Sequence, residues 1–381
     1  MRASLISAAF VAALVGYGSS IALVLAAAAA VGATPEQTAS WVLALCFGKA
    51  LGSAVLSVWH RVPVVLAWST PGAALVAATQ GVTMPQAVGA FMLVGLLIAA
   101  TGMLRPLGRA VGMIPDGIAG GMLAGVLLPF VLKGAGAAES APVLVLPMLA
   151  VFLAVRLWNP AVAVIAALAA GLALAFGLGL AVWPALALPW PQVEVVAPVF
   201  DLGVIVGLAL PLYLVTMASQ NLPGFATMRA AGYEPPVRSA LGVTGGISAV
   251  TALMGAHTVS MAAITAAICL GPDVHPDKDQ RWKVGLAYAA VWVLLGVFSP
   301  VILQLLAALP GEVMTALVAL ALLGALTGAV ATAMAVPDQR FAAVLTLAVT
   351  GAGVPFLGVG AAFWGLVAGL AVHLSERARR K

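Results

Sequence analysis

The sequence predicts an all-α membrane protein of about fourteen transmembrane segments, folded as a seven-plus-seven (7+7) inverted repeat. Three observations predict it: the composition, the length of the apolar runs, and where the charges fall. Of 381 residues, 63% are hydrophobic and 8% charged, and the mean hydropathy is +1.15. That is too little polar surface to cover a fold in water. Crossing the hydrocarbon core takes about 20 apolar residues, and lipid offers the backbone no partners, so each run must form a helix or join a closed barrel. The runs are continuous rather than alternating, which selects helices. With the charges spread between such runs, the net charge of +5 is not read as a nucleic-acid footprint.

Cutting at charges, prolines and glycines places the elements in order. The first half, 1-182, takes segments near 3 to 31, 37 to 59, 63 to 80, 84 to 104, 113 to 133, 142 to 157 and 160 to 182. A link rich in Trp and Pro follows at 183-200 (Trp183, Pro184, Pro189, Trp190, Pro191, with Glu194). The second half, 201-381, takes 201 to 222, 238 to 255, 257 to 271, 284 to 309, 311 to 335, 341 to 356 and 358 to 375. The apolar stretch behind Met1 and Arg2 is too long for a signal-peptide core and reads as an uncleaved first span. Cys46 and Cys269 lie inside apolar runs and read as small buried side chains, implying neither a disulfide nor a metal.

Charge placement tests this topology, because Lys and Arg collect on the cytoplasmic side. With the N-terminus inside, Arg2, Arg61, Arg105, Arg109, Arg156, Arg229, Arg238, Lys278, Arg281, Lys283, Arg340, Arg377, Arg379, Arg380 and Lys381 share the inner face; only Lys49 and Lys133 do not. Both termini are then cytoplasmic. Seven being odd, the two halves enter the membrane from opposite sides, as an inverted repeat requires. A weak internal echo lays Trp68 to Ala78 over His257 to Ala267, each in the third span of its half.

The third and tenth segments are short and open with residues that disfavour mid-helix positions: Arg61-Val62-Pro63 before Trp68-Ser69-Thr70-Pro71-Gly72, and Gly255-Ala256-His257-Thr258 before Val259-Ser260. Extended backbone followed by a helix is the expectation for both. Ser69 or Thr70 would cap the first half-helix with Pro71 in its first turn, and Thr258 or Ser260 the second. Two helix N-termini meeting at the midplane offer free N–H groups and partial positive charge to a carboxylate. The alternative is that these residues only kink or pack helices. A second polar cluster, Ser219-Gln220-Asn221, ends the eighth segment, and Tyr17-Gly18-Ser19-Ser20 occupies the comparable place in the first. Side by side in lipid such groups are costly, so they should face protein or a cavity, with Tyr17, Trp68 and Met217 as a slot for a ring. Hydrogen bonds between helices are the competing use.

Longer motifs point to a family. Val62 to Leu75, Pro211 to Gly224 with Ala230 to Tyr233, Ala262 to Cys269 leading into His275 to Trp282, and Ala362 to Leu366 resemble the BenE family of benzoate/proton symporters. The resemblance covers nearly the whole chain. It implies a secondary transporter importing benzoate or a related aromatic carboxylate with a proton across the inner membrane. Through the family's similarity to nucleobase symporters and sulfate permeases, it also implies a core domain (segments 1-4 and 8-11, with 3 and 10 broken) and a gate domain (segments 5-7 and 12-14). Nucleobase symporters of this fold carry a glutamate in the eighth span, whereas the matching stretch here reads Ala218-Ser219-Gln220-Asn221. A buried carboxylate would repel a carboxylate ligand and neutral donors would not. The expected substrate site is therefore Tyr17, Trp68, Ser69, Thr70, Ser219, Gln220, Asn221, Thr258 and Ser260.

For the proton, His257 titrates in the right range and lies at the broken tenth span, its alternative being a neutral, hydrogen-bonded histidine that orients a helix. Lys49, midway through the second span, is too deep to snorkel and reads as an anion attractor or half of an ion pair. Asp116, Asp201 and Glu312 stand where an acid stabilises a helix N-terminus. Four histidines and two dispersed cysteines supply no catalytic or metal constellation, so neither an enzyme nor a cofactor is expected. An exchanger, uniporter or channel-like permease for another small anion is the alternative function, and a homo-oligomer is left open.

Overall fold

The computed structural model describes residues 2–104, 113–185, 190, 192–262 and 264–379. Arg105, Arg109, Pro189, Pro191, Arg380 and Lys381, with Ala263 of the internal echo, lie outside the described residues. Helices stand where the apolar runs stand. The first half holds α1 (Ala3–Gly18) and α2 (Ile21–Ala30), α3 (Pro35–His60), the strand β1 (Leu66–Trp68) with α4 (Thr70–Ala77), α5 (Met84–Met103), α6 (Asp116–Ser140), α7 (Pro142–Trp158) and α8 (Ala163–Gly177). The second holds α9 (Leu202–Ala230, with π-helical stretches), α10 (Val237–Ala252), β2 (Val259–Met261) with α11 (Ile264–Leu270), α12 (Lys283–Val297), α13 (Ser299–Ala307), α14 (Gly311–Ala335), α15 (Arg340–Gly351) and α16 (Ala361–Arg379). Among the described residues, six spans are long and apolar enough to cross a membrane, or seven if α12 and α13, bent by 55°, count as one.

Local chemistry sets these boundaries. Thr34 and Gln37 form a reciprocal capping box at the start of α3, with Pro35 in its first turn. Arg61 ends α3 in the left-handed conformation (φ 54°), and Pro63 follows before the extended stretch. Ser69 caps α4 by accepting from the Gly72 N–H at 3.0 Å, as expected. Asp201 Oδ1 likewise accepts from the Val204 N–H at 2.9 Å, and Asp116 and Glu312 lie in the first turns of α6 and α14.

The second broken segment departs from its expected form. Its helix starts at Ile264, so Thr258 and Ser260 belong to the extended stretch and cap nothing. β1 and β2 pair antiparallel as Leu66↔Met261, Ala67↔Ser260 and Trp68↔Val259.

Two three-residue strands deep among apolar helices leave backbone groups that lipid cannot satisfy. Neighbouring helices supply the partners. On α3, Ser57 Oγ donates to Val64 O and accepts from Val64 N–H, and Ser53 Oγ accepts from Leu66 N–H. On α10, Ser248 Oγ accepts from Val259 N–H at 2.9 Å. Asn221 Oδ1 accepts from Met261 N–H at 3.0 Å, and Tyr288 Oη donates to Leu66 O at 2.9 Å.

Helix packing separates two sets. α3 packs on α12, α5 on α10, and α1 on α12 and α11; α6 packs on α14 and α15, α7 on α8, and α15 on α16. In the first set α5 and α10 meet backbone to backbone: a Cβ on Gly95 would stand 2.4 Å from Ala249 N, and one on Gly245 would stand 2.3 Å from Ala99 N. Several basic loops gather at one end of this set. Ser4 Oγ donates to Val274 O, the Arg61 guanidinium stacks on Trp282, and Lys278 Nζ donates to Gly232 O. At another place the link straps the set together through Glu194 N–H to Ser40 Oγ, Val196 N–H to Leu253 O and Val199 N–H to Pro85 O.

Candidate functional site

A cavity of about 810 Å³ lies between the two sets of helices. One wall comes from α1, α3, β1, α4, α9, α11 and α12, and carries Ser19, Ser20, Lys49, Trp68, Thr70, Ser219, Gln220, Thr265, Tyr288 and Trp292. The facing wall, from α6, α7 and α14, is built from small and apolar side chains such as Ala119, Leu123, Phe152, Leu320 and Gly324, with Asp116, Arg156 and Asn159 among them.

Of the residues expected at a substrate site, Trp68, Thr70, Ser219 and Gln220 line this cavity, and so does Lys49. Trp68 is held by its indole N–H, which donates to Ser20 Oγ at 2.7 Å. Gln220 makes no hydrogen bond to another described residue, so its amide is available to a ligand. Ser219 and Gln220 fall in the π-helical stretch Met217–Asn221, a local widening of the helix that often marks a functional site. Ser219 Oγ donates back to Val215 O at 2.5 Å, leaving its lone pairs rather than its proton for the cavity.

The α4 N-terminus offers less than four free donors. Pro71 has no N–H, Gly72 N–H goes to Ser69 Oγ and Ala73 N–H to Ser69 O. Thr70 N–H is what remains of the first turn, together with the positive end of the helix.

The other expected residues do not line the cavity. Tyr17 stands behind Trp68, ring centroids 5.9 Å apart. Ser69 accepts from Thr216 Oγ1 at 3.1 Å, and Thr216 Oγ1 lies 3.3 Å from Thr258 Oγ1. Ser260 Oγ donates to Ala67 O across the strand pair, and Asn221 serves β2. Met217 Sδ accepts from the Asn221 amide.

His257 is fully buried, with both nitrogens engaged. Trp41 Nε1–H donates to Nδ1 at 3.1 Å, which makes Nδ1 the acceptor, so Nε2 carries the proton and donates to Ser69 O at 3.1 Å. Protonating this ring would point two N–H groups at each other. The hydrogen-bonded, helix-orienting alternative describes its geometry.

Sequence reasoning missed Thr265, Tyr288 and Trp292. Tyr288 and Trp292 stand four apart on α12, hence on one face, and a polar-tipped aromatic pair at that spacing inside an apolar run is the signal that could have found them. Trp292 and Trp68 enclose Lys49, whose Nζ lies 3.3 Å from the Trp68 ring centre and 3.0 Å from that of Trp292, and Tyr288 packs edge-on against Trp292. Cys46 and Cys269 are buried free thiols.

Residues 1–375 match the family model of BenE, benzoate membrane transport protein. The chain is 40% identical over 363 residues to inner membrane protein YdcO of Escherichia coli, covering 95% of this chain and 93% of that protein. It is 34% identical over 367 residues to the benzoate membrane transport protein of Acinetobacter baylyi, covering 96% and 93%. Among solved structures, the transmembrane domain of the cyanobacterial bicarbonate transporter BicA superposes with a TM-score of 0.57 at 17% identity, covering 99% of this chain and 98% of that one. At that identity the likeness shows a shared transporter fold.

Proposed function

We propose, because this chain belongs to the BenE family of benzoate membrane transport proteins, that it imports benzoate or a close aromatic carboxylate together with a proton. It is a membrane transporter rather than an enzyme. The observation that carries the substrate reading is the composition of the cavity's two walls. Its chemically equipped wall combines an aromatic face (Trp68, Trp292, Tyr288) with neutral donors (Thr70 N–H, the Gln220 amide) and one cation, and bears no carboxylate. A carboxylate on that wall would oppose a carboxylate ligand by about 4 kcal/mol at about 4 Å and an effective dielectric of about 20. Benzoate needs a slot for a ring beside donors for an anion, which is what this wall offers.

The same reading takes the set containing α3, α4, α9 and α11 as the core domain and the set containing α6, α7 and α14 as the gate. The smooth face of the gate suits sliding, having few polar groups to unpair. An inverted repeat is supported by the serines that serve the strands from the preceding helix in each half, Ser53 and Ser57 for β1 and Ser248 for β2. Arg156 and Asp116, near basic loops in sequence, line the cavity, which supports an opening toward the cytoplasm.

Labelled benzoate uptake into proteoliposomes is the test. Accumulation driven by an inward acid gradient and abolished by a protonophore is expected. Uptake indifferent to the gradient would leave a uniporter or exchanger, and no benzoate uptake above that of protein-free liposomes would remove the aromatic carboxylate.

A further inference from the structure

We infer that Lys49 is the proton carrier of this transporter and the direct partner of the substrate carboxylate, an inference that rests on the proposed benzoate transport. Lys49 lies in the middle of α3 with 1% of its surface exposed, yet it lines the cavity. No acidic side chain pairs with it among the described residues; its close partners are the faces of Trp68 and Trp292. Two ring faces stabilise an ammonium only in part, and an ion taken out of water without a counter-ion is costly. A carboxylate in the cavity supplies that missing charge.

The surroundings are prepared for an anion. Thr265 Oγ1 and Trp292 Nε1 are buried beside Tyr288 without a well-formed hydrogen bond among the described residues, and both residues line the same cavity. Buried donors are normally satisfied, and a carboxylate oxygen in the cavity would complete the partners of these two. The other titratable groups around Lys49 are Cys46 on its own helix, Tyr17 on α1, Tyr288 on α12 and His257 ahead of β2, with Asp116 and Arg156 on the facing wall. His257 is committed to Trp41 and Ser69, and Asp116 and Arg156 stand on the facing wall, which leaves the lysine amine as the group within the aromatic slot to change charge.

The cycle then balances. With the cavity open to the acidic side, the neutral amine takes one proton from water as the carboxylate binds, giving an ammonium–carboxylate pair of zero net charge. On the other side the carboxylate leaves, the ammonium returns its proton to water, and the empty carrier reorients with a neutral amine. Nothing charged and unpaired crosses the barrier in either direction.

The experiment measures proton uptake when benzoate binds to the purified full-length protein in weakly buffered detergent solution, read with a pH indicator. Wild type should take up about one proton per benzoate, with affinity falling about tenfold per pH unit on the alkaline side. Lys49→Arg, permanently charged, should bind benzoate with no proton uptake and a flat pH profile; Lys49→Met should bind at least tenfold more weakly. Benzoate binding by wild type without proton uptake, or uptake that persists in Lys49→Arg, overturns the Lys49 assignment and leaves benzoate transport standing. Absence of benzoate binding by wild type overturns the substrate and the pairing together. Either variant alone decides the assignment if the other fails to insert: proton uptake that persists in Lys49→Arg or in Lys49→Met overturns it, and its loss supports it.

Discussion

The third and tenth segments read alike in sequence, each an extended stretch before a short helix, but they spend their polar side chains differently. The first turns Trp68 and Thr70 to the cavity, with Ser69 behind them as a cap. The second keeps His257, Thr258 and Ser260 fully buried, bonded to Trp41, Ser69, Thr216 and Ala67, and gives the cavity only Ala262 and Thr265. Similar patterns thus divide into a cavity-lining surface and the scaffold that fixes it. The scaffold bonds run directly to the cavity-lining segment: His257 holds Ser69 O, Thr258 O accepts from Ser69 N–H, and β2 pairs with β1.

This division can be broken most decisively at His257. Replacing it by alanine strands Trp41 Nε1–H and leaves Ser69 O with Ala73 N–H alone, at a cost of about 1 to 3 kcal/mol. A lower thermal midpoint with near-normal benzoate affinity in the surviving protein is expected; normal stability with lost proton coupling would move the tenth segment to the functional side. Next in size is Gln220→Ala on the binding side, expected to weaken benzoate binding about tenfold, or about 1.4 kcal/mol, with an unchanged melting temperature. Equal affinity in the variant would take Gln220 out of the site. The finest test pairs two conservative changes. Thr258→Val removes the contact with Thr216 and should lower stability by about 1 kcal/mol while sparing affinity. Thr70→Val should lower affinity a few-fold and spare stability. Matching profiles for the two would erase the distinction between the segments.

Much of this arrangement was legible beforehand. The Ser69 cap, the break at Pro63 and the acids at helix starts are local: they depend on residues within a turn of one another, and residue type carries that information. The Ser219-Gln220 pair was legible as polar groups in a lipid-length run. Tyr288, Trp292 and Thr265 were not, because aromatic and small polar residues in a helix are equally at home in packing, and only their convergence on one cavity sets them apart. His257 shows the converse: residue type and position suggest a carrier, and only the structure shows that Trp41 and Ser69 occupy both ring nitrogens.

By itself, then, the sequence determined residence in the membrane, the places where helices run and the two places where they break, because burial in lipid and helix capping are written in composition and near-neighbour order. The tertiary structure decided which polar groups a ligand can reach. That depends on how each helix is rotated about its axis and on the β1–β2 register, both fixed by contacts between residues some two hundred positions apart. It surrounded Lys49 with aromatic rings instead of an acid, and closed His257 away from the cavity that its sequence position promised.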